Sequence, residues 1–170
     1  MFNEPTTTQL TAQLDLVREV QGDWGLVTAG TEATGWNTMT IGWGSAGTLW
    51  STPIVTVYVH PKRYTHEFLM REPYFTVQLF GGEHKRDLGI LGSKSGRDGD
   101  KVALTSLTPK AIEHGMTFEE AKTTIVCRKL YTHHMDLAGV PQEVIDHMRS
   151  GLYEHEAHTV FVGEVVEVLQ

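Results

Sequence analysis

The sequence predicts a mainly β, α+β domain with antiparallel strands, as a barrel or a sheet with a few short helices, and three observations carry this. Segments dense in β-branched and aromatic residues recur, above all Pro53 to His60 (PIVTVYVH), Tyr74 to Phe80, Thr123 to Tyr131 and Thr159 to Leu169. The helical patterns between them are short and few, which argues against a doubly wound parallel sheet. The 170 residues show no internal repeat, low-complexity tract or composition shift. Residues 1–170 are therefore expected to form a single domain with a substantial core.

Leu14, Val17 and Arg18 follow a Thr-rich start at helical spacing and predict an N-terminal helix over about residues 9–20. Trp24 to Ala29 lies between Gly22 and Gly30, and Thr38 to Gly44 follows a turn-like Ala33-Thr34-Gly35. Together they read as a hairpin. Pro53 to His60 is the strongest strand, and Pro73 suits the start of the strand after it. Between those two strands, Tyr64 to Arg71 reads as a helix burying Phe68 and Leu69. His84 to Leu91 reads as a second helix, ended by Gly92, and the polar, glycine-rich stretch to Lys101 as a loop. Pro141 to Arg149 reads as a helix with proline in its first turn.

Bulk properties narrow the function classes. Apolar residues make up 40% and charged residues 21%, an ordinary globular balance. A formal net charge of -7 and a pI near 5.7 argue against nucleic acid or an anionic membrane surface as the main partner, since phosphate binding relies on Lys and Arg. No apolar run approaches the roughly 20 residues needed to cross a bilayer. The lone Cys127 excludes an intrachain disulfide framework and a cysteine-built zinc site. Its apolar strand (TTIVCRKLY) makes it a buried small hydrophobe. No secretory signal is visible in MFNEPTTTQL, so a cytoplasmic location is expected.

The P-loop and Rossmann glycine patterns, the H-E-x-x-H zinc motif and the G-x-S-x-G elbow are all absent. Three other segments could carry chemistry. Asn37 to Gly44 (NTMTIGWG) sets small and hydroxyl residues on a strand, where a planar ligand can approach backbone groups. A glycine-rich edge strand would look the same. His60 to Thr65 (HPKRYT) combines two cations and a hydroxyl with the start of a helix, which makes either an anion site or a helix end with solvated basic residues. Gly92 to Asp98, followed by Lys101, has the glycines, serines and cations of a phosphate-closing loop, or of an exposed turn. Taken together, the three are what a phosphorylated planar cofactor requires. Of the nine histidines, His133 and His134 would face opposite ways on a strand, and His155 and His158 suit a metal only on a helix. No metal site is expected, and the histidines read as surface or interface residues. Trp36, Trp43 and Trp50 read as core or interface packing.

The runs NTMTIGWGSAG, TPIVTVYVHPKRYTHEFL, SGRDGDK, EAKTTIVCRKLY and HTVFVGEVVEV, in this order, resemble the flavin reductase-like FMN-binding split-barrel family, and most of all its flavoredoxin-type branch. The likeness runs from about Trp24 to Val168. It implies a six-stranded antiparallel Greek-key split barrel and a homodimer with FMN near its interface. Thr38, Met39, Thr40 and Ile41 would lie along the isoalloxazine, largely through backbone groups. Arg63, Tyr64 and Thr65 would contact the ribityl phosphate, and Ser95, Gly96 and Lys101 would help close that site. His158 would sit beside the flavin face where nicotinamide docks. Electrons would come from NAD(P)H or a reduced redox protein. The bulky WGSAGTLW stretch departs from many free-flavin reductases of this family and favours a retained prosthetic group.

Overall fold

The computed structural model describes residues 17–149 and 156–170. Residues 9–16 of the expected N-terminal helix lie outside the described residues. Its end, Val17–Gly22, forms one π-helical turn that buries Val20 in the core. The strands are β1 (Gly25–Thr31), β2 (Gly35–Ile41), β3 (Gly44–Leu49), β4 (Thr52–Val59), β5 (Tyr74–Leu79), β6 (Pro109–Ile112), β7 (Gly115–Phe118), β8 (Thr123–His134) and β9 (Thr159–Leu169). The helices are α1 (Tyr64–Arg71), α2 (Lys85–Ser93) and α3 (Gln142–Arg149).

Seven strands form one antiparallel sheet in the order β2-β1-β5-β8-β9-β4-β3. Its two edges, β2 and β3, are separated in the chain only by Gly42 and Trp43. Three Cα–Cα steps of about 3.8 Å hold those edges within roughly 11 Å of each other at that end. β2 and β3 are not hydrogen-bonded to each other, so the curled sheet is left open along this seam, as in a split barrel. Two register shifts between β8 and β9 bend these long strands around it.

The predicted class is correct, but the barrel has one strand more than the six expected. β3 was not anticipated because its sequence, GSAGTL, lacks β-branched density and is mostly exposed. Its turn into β4 also lacks the usual signal. Trp50 (φ 50°) and Ser51 (φ 59°) both adopt the left-handed region that a tight hairpin demands and that Asn-Gly normally supplies. The β6–β7 hairpin is likewise absent from the elements the sequence predicts. It lies over β5, where the Thr76 hydroxyl and the Gln78 amide both donate to the Met116 carbonyl (2.7 and 3.1 Å).

The barrel interior is filled by residues such as Val27, Val57, Phe75, Val77, Ile125 and Phe161, with Cys127 fully buried among them. A second cluster seats α2 outside the barrel, with Leu26, Phe80, Leu88, Leu91, Leu107 and Phe118. Gly92 does not end α2, as expected from the sequence, but lies within it. There a side chain would press on Thr40, whose Cβ would be 3.1 Å away. This glycine serves the close packing of α2 on β2.

Gly163 in β9 shows how tightly the interior is filled. A Cβ at this position would lie 2.6 Å from both Cys127 Cβ and Phe75 Cζ. Neither neighbour is a flexible side-chain end, so the strands themselves would have to part. Gly163→Ala is expected to lower stability by about 1–3 kcal/mol, read as a shift in urea midpoint. An unchanged midpoint would show that the packing at this point is looser than described.

Candidate functional site

Three segments far apart in sequence meet beside edge strand β2. Asn37 and Met39 come from β2 itself, Lys62 to Thr65 from the β4–α1 junction, and Ser93 to Gly96 from the end of α2 and the loop after it. With Lys101 they line a pocket of about 140 Å³. The meeting is held by side chains. Asn37 Nδ2 donates to the Thr65 hydroxyl at 2.8 Å, with both residues buried. Gly96 comes so close to β2 that a Cβ there would collide with Asn37 Oδ1 and crowd the Tyr64 ring. Arg97 of the same loop lies over the Tyr64 ring and pairs with Glu67 on α1.

Two helix ends with opposite electrostatic character face this pocket. α1 begins at Arg63 without a side-chain cap, so its first N–H groups are left to whatever occupies the pocket. α2 ends there and offers carbonyl oxygens, which would repel an anion. Two cations meet them: Arg63 Nη2 donates to Gly92 O (2.5 Å), and Lys101 Nζ to Leu91 O (2.9 Å) and Lys94 O (3.2 Å). Lys101 is only 5% exposed. Burial first, and then the neighbouring Arg63 charge, pull its ammonium pKa down to about 8. Among the described residues the two cations are met by backbone carbonyls, not by carboxylates. Two adjoining positive charges beside an uncapped helix start make an anion site.

A second cluster lies farther along the chain from β2. Trp43 follows Met39 by four residues, on the order of 13 Å at about 3.3 Å per residue. Its ring meets His158 edge-on at 5.1 Å, and His158 meets His60 at 5.2 Å. Burial, with His60 adding to it, lowers the His158 pKa to about 4, so the imidazole is neutral at pH 7. His66 and His134 both approach the Thr159 hydroxyl (2.9 and 3.4 Å). His60 and His158 are thus buried within the chain, which corrects the surface half of the surface-or-interface reading for these two.

Most of the sequence-derived site residues are brought together here. Met39, Arg63, Tyr64, Thr65, Ser95, Gly96 and Lys101 all line the cation pocket. Three others turn their side chains elsewhere. The Thr38 hydroxyl is fully buried, 2.8 Å from that of Thr28. Thr40 donates to Leu88 O on α2 (2.5 Å), and Ile41 belongs to the barrel core. Only the backbone of these three is open to a ligand role. His158 stands apart from the pocket with Trp43. Asn37, Ser93 and Lys94 also line the pocket, and all three lie inside the motifs identified in the sequence. Of the tryptophans, Trp36 packs edge-on against Phe118, whereas Trp43 and Trp50 are 55% and 70% exposed.

Residues 17–170 match the sequence profile of the flavin reductase like domain. The fold is similar to that of an FMN-binding protein from Thermus thermophilus solved with 1-cyclohex-2-enone bound. That match has a TM-score of 0.66 and 24% identity over 88% of this chain and 70% of that one. It is also similar to flavoredoxin from Methanosarcina acetivorans, with a TM-score of 0.64 and 21% identity over 87% of this chain and 68% of that one. An NADH:FAD oxidoreductase from Streptomyces globisporus C-1027, solved in complex with NAD and FAD fragments, gives a TM-score of 0.64. Its identity is 18%, over 91% of this chain and 80% of that one.

The depressed Lys101 pKa sets a pH dependence. An anion in the pocket favours the charged ammonium, so binding is strongest below the unliganded pKa of about 8 and fades as pH rises through it. Protection of the protein against thermal unfolding by inorganic phosphate is expected to need about tenfold more phosphate at pH 9 than at pH 7. Lys101→Met should remove that slope. A flat profile in the unaltered protein would mean that the ammonium does not meet the anion.

Proposed function

The chain belongs to the flavin reductase-like domain family, and from that premise we propose that it binds FMN and passes electrons through it, taking them from NAD(P)H or from a reduced partner protein. The observation that carries this reading is the convergence of Arg63, Lys101 and the uncapped start of α1 on one small pocket, with no carboxylate among the described residues answering the two cations. That donor set fits a phosphate ester. The bound flavin would supply the redox chemistry, accepting hydride from a nicotinamide.

The chain's own residues bind and orient. Arg63, Lys101 and the α1 N–H groups hold the phosphate, and the Thr65 hydroxyl, fixed by Asn37, adds a directed contact. The outward backbone edge of β2 from Thr38 to Ile41 offers N–H and C=O groups to ring heteroatoms, whose charge changes on reduction. In this reading His158, neutral and packed against Trp43 and His60, would lie beside the face on which the hydride donor stacks. No nucleophile or general base is needed. The reading includes a homodimer, because the exposed indole of Trp50 offers apolar area that a second copy would cover. A carrier without NAD(P)H turnover is the second reading. The exposure of Trp43 beside His158 favours it, since a redox protein could dock there.

Two substitutions test these roles. Arg63→Ala is expected to weaken FMN binding by about 1.5–3 kcal/mol, the scale of a hydrogen bond to a charged group, in a fluorescence titration. Unchanged affinity would place the phosphate elsewhere. His158→Ala is expected to slow reduction by NAD(P)H in stopped-flow traces while FMN affinity stays nearly intact. Equal loss of both would make His158 a cofactor-holding residue.

A further inference from the structure

The turn that delivers Arg63 to the cation pocket is closed by a histidine side chain. His60, Pro61, Lys62 and Arg63 form a β-turn in which the Arg63 N–H donates to the His60 carbonyl at 2.9 Å. Pro61 stands at the second position, where such turns favour it. The Lys62 N–H donates to Nδ1 of His60 at 3.2 Å. Asn or Asp supplies such an acceptor for the N–H two residues on in an Asx-turn, and here an imidazole nitrogen takes that place. α1 follows at once, beginning at Tyr64, and the His66 N–H donates to the Arg63 carbonyl at 2.9 Å. The placement of Arg63 and of the open α1 N–H groups therefore depends on a turn that the His60 ring secures.

That bond fixes the protonation state in which the turn holds. Nδ1 accepts, so in the neutral ring the proton sits on Nε2, which lies 3.9 Å from a carboxylate oxygen of Glu156. The ring is 1% exposed and packs edge-on against His158 at 5.2 Å. Protonation would put an N–H on Nδ1 as well, facing the Lys62 N–H, two donors with no acceptor between them. The new charge would face Glu156 from the segment before β9, Lys62 in the turn, His66 on α1, His134 at the end of β8, and His158. Of these five only Glu156 is an anion, so the added charge is answered beside the ring and does little to draw a ligand into the pocket. Burial holds the His60 pKa below its ordinary 6.5, against the opposing pull of Glu156. The neutral, turn-holding form therefore predominates at pH 6.5 and above, and it gives way as pH falls through the lowered value. We propose that His60 is a positioning residue and an acid-sensitive latch of the anion pocket. Neutral, it holds Arg63 and the start of α1 in place; protonated on Nδ1, it releases the turn and with it the anion. The latch acts on any anion in the pocket, whichever phosphate ester fills it.

The test is protection against thermal unfolding by sulfate at pH 5 and pH 7, at constant ionic strength. Sulfate keeps its charge over this range, whereas a phosphate ester has a second pKa of about 6 and would add an acid limb of its own. Protection is read as the excess over that of the Arg63→Ala protein, which removes the general effect of sulfate on stability. The unaltered protein is expected to need about threefold or more sulfate at pH 5 than at pH 7. His60→Leu, which cannot accept the Lys62 N–H, is expected to weaken sulfate binding about fivefold at pH 7. His60→Asn, whose Oδ1 can close the same turn and does not titrate, should restore the pH 7 affinity to within about twofold and keep it at pH 5. Nitrogen NMR of the imidazole should show the His60 proton on Nε2 at pH 7. His60→Asn and that spectrum decide the matter even where His60→Leu does not fold. A flat sulfate profile in the unaltered protein, an acid loss that persists in His60→Asn, or a His60 proton on Nδ1 would each overturn the inference. FMN uptake beside a flat sulfate profile would leave the flavin reading standing alone. The expected sulfate profile without FMN uptake would overturn the flavin reading and keep the latch.

Discussion

The short link of Gly42 and Trp43 between the two edges of the sheet is the constraint on which the rest of the architecture depends. Two residues bring β2 and β3 together at one end, and the sheet between them has to curl. Once it curls, β2 is an edge strand that keeps alternate backbone groups unpaired by any neighbouring strand. Other elements then gather along it. α2 packs against it through Thr40 and Gly92, α1 through Asn37 and Thr65, and the loop after α2 through Gly96. The pocket and the Trp43–His158 cluster follow one another beside that strand and its continuation.

Electrostatics decide what such a site can hold. The end of α2 alone would turn an anion away, and the start of α1 alone would attract one only weakly. Arg63 and Lys101 alter the balance by occupying the α2 carbonyls and keeping their remaining donors for a ligand. Burying Lys101 beside Arg63 is unfavourable, and the lowered ammonium pKa records that. An arrangement that destabilises the empty protein in this way makes physical sense when an anion offsets it. At the other end, burial keeps His60 and His158 neutral, suited to packing and hydrogen bonding rather than to charge.

The strands with dense β-branched sequence were legible from residues alone, and α1 falls on the predicted Tyr64 to Arg71. What was illegible had no local signal. β3 is built from small residues, and its turn forces Trp50 and Ser51 into a backbone region that neither side chain favours. Gly92 looked like a helix stop because nothing in the sequence shows that Thr40 packs against it. The three motifs located the cation pocket, because cations, hydroxyls and glycines concentrate in them. They did not show which way the side chains of β2 point, since that depends on register against β1 and on α2. Nor did they show that His60 and His158 would be buried together, a contact between residues 98 positions apart.

The central claim is that this chain holds a flavin and passes electrons through it. The most direct measurement is a visible absorption spectrum of the purified protein supplied with FMN, recorded before and after NADH or NADPH is added under argon. Flavin bands that stay with the protein and bleach with the nicotinamide are the expected result. Bands that persist until dithionite is added would assign it to electron carriage fed by another protein. A colourless protein that takes up no FMN would contradict the account.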